Sequence, residues 1–191
     1  EVTEITPVIT EEALEDKVEY EENALEFARG EAVDGEKYFE GILAAVVLVD
    51  ADLRNSIVLD DTGAGLDEIM ANIKSCLVNI ETARASLALY TTKTWPLRSE
   101  FHDLTLKWLK SVEGLMTDYL TELAEPMSRP DSTWSQAELD FYETYIVAYD
   151  EYLKVDSDWV DYQYVFAAEN GFEISGTIDV DSWNGSSETI K

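Results

Sequence analysis

The 191-residue chain holds a single cysteine, Cys76, and a single histidine, His102. One Cys excludes an internal disulfide and every CxxC-type zinc site. One His excludes a ferritin-like di-iron centre, which needs a Glu-x-x-His on each of two helices, and a zinc centre built on several histidines. Basic residues are scarce too: 13 Lys and Arg stand against 41 Asp and Glu, a formal net charge of -28. Direct reading of nucleic acid needs clustered cations to neutralise phosphates, so it is excluded, and so is attraction to anionic lipid headgroups. The longest nearly uncharged apolar run, Ile42 to Val49, falls far short of the ~20 residues that cross a bilayer. No Walker loop, GxGxxG or GxSxG occurs, and Gly63-Ala64-Gly65 is too short and follows no strand. No cofactor is expected.

Apolar residues make up 46% of the chain and aromatics 11%, enough for one domain with a real core. Their spacing is helical. Residues 1–10, polar and carrying Pro7, read as a flexible leader or tether, through which alone a membrane anchor would act. From 11 to 57 the apolar positions (Leu14, Val18, Leu25, Ala28, then Phe39, Ile42, Val46, Val49, Leu53) fall on one face. Gly30 and Asp34-Gly35 mark an interruption near 30–36. Asp60 to Gly65 reads as a loop. Leu66, Ile69, Ile73, Leu77, Ile80, Ala83 and Leu87 form a second seam, closed by Thr94-Trp95-Pro96. Phe101, Leu104, Trp108, Val112, Leu115, Tyr119 and Leu123 form a third, and Pro126 and Pro130 bracket the loop after it. Ser135 and Glu138 make a capping box for the last helix. Its seam runs through Leu139, Tyr142, Ile146, Tyr149, Leu153, Val160, Tyr164 and Ala167 to a C-cap at Asn170-Gly171. The pattern predicts an all-α, antiparallel up-down four-helix bundle over 11–175, with a loose tail over 176–191.

The order of features carries a likeness. Tyr20-x-x-Asn23 opens the first helix. The last helix ends Val165-Phe166-Ala167-Ala168-Glu169-Asn170-Gly171-Phe172. This resembles small helical surface lipoproteins of spirochaetes and Bacteroidetes, whose last helix often ends in an aromatic–Ala stretch, Asn-Gly and an aromatic. The resemblance implies an exported four-helix ectodomain without known enzymatic activity, and it transfers no functional residue.

Among the chemical constellations, Cys76 sits on the second seam and reads as a buried structural thiol. His102 reads as a surface or hydrogen-bonded side chain. Asp179-x-Asp181 with Asn184-Gly185 fails the EF-hand pattern, which needs Gly sixth and Glu twelfth. Two oxygen-rich spots, Asp50/Asp52/Asp60/Asp61 and Asp156/Asp158/Asp161, predict at most weak Ca²⁺ or Mg²⁺ contacts. Core packing accounts for most aromatics. The surplus on the last helix predicts a Tyr/Trp-rich acidic face made of Tyr145, Tyr152, Trp159 and Tyr162 with Asp156 and Asp158. The expected function is binding, by a monomeric and exported protein, of a basic protein surface or a divalent cation. A cytoplasmic acidic inhibitor that neutralises a basic enzyme is the alternative.

Overall fold

The computed structural model describes residues 35–90 and 96–174. The expected leader, the first-helix stretch 11–34 and the tail lie outside the described residues. Within them the protein is all-α, 91% helical with no strand. Helix α1 (Gly35–Thr62) turns through Gly63–Gly65 into α2 (Leu66–Leu87), which ends in a 3₁₀ turn at Ala88–Tyr90. Next come α3 (Pro96–Gly114), a π-helical stretch (Leu115–Leu120) and α4 (Thr121–Met127). Gly114, Leu120 and Thr121 all keep right-handed helical geometry, so these three pieces form one rod. A short connection leads to α5 (Gln136–Asn170).

Interhelical hydrogen bonds give the directions. Asn55 Nδ2 donates to Asn72 Oδ1 (2.7 Å) and Asn79 Nδ2 to Asp52 Oδ2 (2.8 Å); as one number rises the other falls, so α1 and α2 run antiparallel. Trp108 meets Asp156, Trp159 meets Thr105 and Tyr162 meets Glu100, which sets α3 against α5 the same way. Arg84 holds Glu113 through two N–H donors, 2.8 and 2.6 Å, between α2 and α3.

The stripes spaced in the sequence are buried on α1, α2 and α3: Tyr38, Phe39, Ile42, Val46, Val49 and Leu53 of α1 and Ile69, Ile73, Cys76, Ile80 and Leu87 of α2 share one core. On α5 the expected seam is corrected: Leu139, Ile146 and Tyr164 are exposed, because the inward face follows the seven-residue interval through Tyr152, Trp159 and Phe166. Trp108 is fully buried at the middle and stacks on Trp159 with ring centroids 4.9 Å apart. One end is closed by an aromatic cluster in which Phe101 and Phe166 stack at 5.1 Å and Phe172 folds back onto Phe39. There α1 starts so close to α5 that a Cβ on Gly35 would lie 2.6 Å from the Cβ of Asn170, which only glycine avoids.

The helix ends follow the expected chemistry with two corrections. Ser135 and Glu138 form the capping box, and left-handed Gly171 (φ 79°) ends α5 with Phe172 N–H returning to Ala167 O. The loop expected over Asp60 to Gly65 is shorter. Helix α1 continues to Thr62, and a second motif of the same kind closes it: Gly63 at φ 68° lets Ala64 N–H reach Leu59 O. Helix α4 also runs through Pro126 to Met127 instead of stopping before it. Pro126 is the penultimate residue, so it forfeits one bond to the preceding turn and interrupts nothing beyond.

Two neighbours on α5 have opposite expected effects. Phe166→Ala opens a cavity in the aromatic cluster and lowers unfolding free energy by about 3–5 kcal/mol in urea denaturation. Gln163 is buried with its Nε2 unpartnered. Gln163→Met removes that stranded donor and raises stability by about 1 kcal/mol in the same titration.

Candidate functional site

The expected aromatic face divides in three. Tyr152 and Trp159 lie in the core, 4% and 6% exposed, which corrects their placement on a binding surface. Asp156 turns inward with them: its Oδ1 accepts from Trp108 Nε1 (2.7 Å) and Tyr152 O–H (3.1 Å). Trp159 Nε1 donates to Thr105 Oγ1 (3.0 Å), whose own hydroxyl donates to Phe101 O. Tyr145 is half-buried in a ring stack along α5, 5.7 Å from Tyr142 and 6.0 Å from Tyr149. Tyr162 is half-buried and donates to Glu100 Oε2, while Asp158 is exposed. Tyr145, Tyr152 and Trp159 stand seven apart, and that interval was the signal for an inward stripe. Two solvent-free helical faces, one on α3 and one on α5, absorb aromatics that a count along α5 alone leaves over.

The acids at mid-length of the helices serve the fold. Burial raises Asp50 above the ordinary carboxylate range against the pull of Arg54 (2.8 Å), and nearby Asp156 adds repulsion. Burial also raises Asp52, which accepts from Asn79. Burial, with the Asp156 charge second, pushes the Tyr149 phenol to about 12. Cys76 is a core thiol pushed by burial to about 12, as its seam position implied. His102 is buried with Nε2 2.9 Å from Leu87 O. Among the described residues no three His, Cys, Asp or Glu side chains gather as metal ligands.

A cleft of 610 Å³ opens instead at one end of the molecule, where the α1–α2 turn faces the connection from α4 to α5. Its walls mix polar groups (Ser128, Arg129, Asp131) with apolar and aromatic ones (Met127, Pro130, Trp134, Leu139, Tyr142), and Trp134 is set edge-on to Tyr142 (centroids 5.4 Å, planes at 80°). The connection is pinned at both ends. Thr133 Oγ1 donates to Pro130 O (2.6 Å) and accepts from Arg129 Nη1 (2.8 Å). The Arg129 guanidinium bridges Glu125 (3.2 Å) and Glu138. Glu138 also accepts from Ser135 N–H (2.6 Å), and this bond, with Arg129 second, holds its carboxyl down at about 2. Sequence patterning located the capping box but not the cleft, whose shape depends on how the connection before Ser135 turns Trp134 edge-on to Tyr142.

Among the described residues no helix is long and apolar enough to cross a membrane. No family model, curated protein or solved structure matches the chain.

A depressed carboxyl binds its proton more weakly when folded than when unfolded. Glu138 therefore contributes stability that is complete above its ordinary pKa of 4.5 and lost as pH falls toward about 2. Protection factors (exchange rates corrected for the intrinsic pH dependence) in the first turn of α5 should fall through that window in the wild type. In Glu138→Gln, whose amide oxygen can still accept from Ser135 N–H but carries no charge, they should be lower at neutral pH and show no acid step of their own.

Proposed function

We propose that this chain is a non-enzymatic binding protein, exported or held at the cell envelope, whose acidic surface takes a basic protein surface as its partner. Its arrangement is read as an up-down four-helix bundle, with α1, α2, the α3–α4 rod and α5 alternating in direction. The antiparallel hydrogen-bond patterns of α1 with α2, α2 with α3 (Arg84 with Glu113, Leu87 O with His102) and α3 with α5 support that reading. The likeness of residues 165–174 to helical surface lipoproteins supports an envelope location, and like-charge repulsion supports a monomer.

One observation carries the reading: the charge left over after internal pairing. Acids outnumber bases 41 to 13, and Arg54, Arg84 and Arg129 are each committed to carboxylates of the same chain. With those arginines and their carboxylates set aside, acids still outnumber bases by more than three to one. Such a field speeds encounter with a cationic surface and repels an anionic one. His102 and Cys76, the two side chains best suited to catalysis, are held by a backbone carbonyl and by the core, which favours binding over chemistry.

The test is saturation binding to immobilised basic and acidic proteins. At ~0.01 M salt, where fields reach ~30 Å, basic proteins alone should bind saturably; at ~1 M, where screening cuts the reach to ~3 Å, the binding should vanish. No binding to basic proteins at low salt, or equal binding to acidic ones, overturns the proposal.

A further inference from the structure

We propose that the cleft between the α1–α2 turn and the α4–α5 connection is where the basic partner docks, and that it receives an arginine or lysine side chain together with an adjacent apolar one. The proposal rests on the binding function above and gives it a location. Among the described residues Arg129 is the one cation lining the cleft, and it is bracketed by Glu125 and Glu138. Glu125 and Glu138 pair with that guanidinium from outside the lining and Asp131 lines the rim, so the charges at the cleft and just behind its wall sum to a negative balance. Trp134 and Tyr142 stand nearly perpendicular in the wall. A cation within ~6 Å of an indole or phenol ring is attracted by the ring's negative face, and the attraction grows as the cation is desolvated. Met127 and Leu139, the latter 40% exposed, offer an adaptable apolar surface beside the rings. An acidic ligand would be repelled by Asp131 on the rim, and a neutral one would gain nothing from it. The side chains of one short basic stretch match both halves of the lining.

Size and position agree. The volume falls within the ~300–1,000 Å³ of small-ligand sites, large enough for two long side chains. Helix α1 spans 28 residues, so the cleft lies roughly 42 Å along the helix axis from Gly35. Three more exposed apolar residues, Val58, Leu66 and Met70, flank the turn at the same end. The capping box and the Arg129 bridges hold the connection in place before any partner arrives, which limits the ordering cost of docking.

The probe is a short peptide of alternating arginine and leucine carrying an uncharged dye, read by anisotropy at low salt. Its addition should move the indole N–H resonance of Trp134. Asp131→Lys should weaken binding about tenfold or more, the scale of a close charge pair reversed. Glu151→Lys, the same charge change at an exposed position on α5, should cost less than about twofold. Leu139→Lys repeats the cleft reversal at an exposed helical site if Asp131→Lys disturbs the connection. Equal weakening by the cleft and Glu151 variants, or a Trp134 resonance that stays put while the peptide binds, overturns the cleft and leaves the binding function standing. Basic proteins that bind while the peptide does not likewise overturn the cleft alone. Failure of both peptide and basic proteins removes the function itself.

Discussion

Two indole N–H groups buried in the middle of the molecule must find acceptors, and that requirement fixes how α3 lies on α5. An unanswered donor there costs about 1–3 kcal/mol. Trp108 finds Asp156 and Trp159 finds Thr105, and these bonds hold in one register only. A slide of either helix by one turn would strand both. The stacked rings fill the space between the bonds. Because α5 is a single rod of 35 residues, the register set at its centre also sets where its first turn arrives, and with it where Tyr142 meets Trp134.

A polar clamp plays the matching part on the other side. Asn72 of α2 is buried, yet it donates to Asp52 O (3.0 Å) and Ser56 Oγ (2.7 Å) and accepts from Asn55. Satisfied groups of this kind specify one alignment of two helices whose apolar stripes would tolerate several. The alignment has to be specific here, since a chain with 28 excess negative charges works against its own compaction. Arg84 and Arg129 each tie two elements together, so the few cations sit where they serve cohesion.

Much of this was legible in the amino-acid order. Apolar intervals of three and four marked the stripes of α1, α2 and α3 but not the inward face of α5, where Leu139, Ile146 and Tyr164 are exposed; Ser135 and Glu138 marked the start of α5, and Asn170-Gly171 marked its end. The stripes are strong signals because one periodicity is repeated over many turns. Pro126 misled, since a proline one residue from a helix end reads the same as one that stops it. Tyr152 and Trp159 misled because their polar edges suggest a wet surface, whereas Asp156 and Thr105 supply partners inside. The cleft was not legible although all of its lining but Gly63 lies between Met127 and Tyr142: periodicity reports the face of a helix, not the shape that an irregular connection takes.

The π-helical stretch at Leu115–Leu120 has a geometric consequence for that end of the molecule. Thr121 N–H bonds to Met116 O, five residues back, so the rod holds one more residue there than a regular helix would. One residue is worth about 100° of rotation. Everything beyond it, from Leu123 to Met127 and on to the hairpin that carries Trp134, is turned about the rod axis by that amount. Removing the extra residue would leave the helix intact and swing the tip to a different azimuth, so the direction in which the molecule presents its far end is set by a single insertion in its backbone.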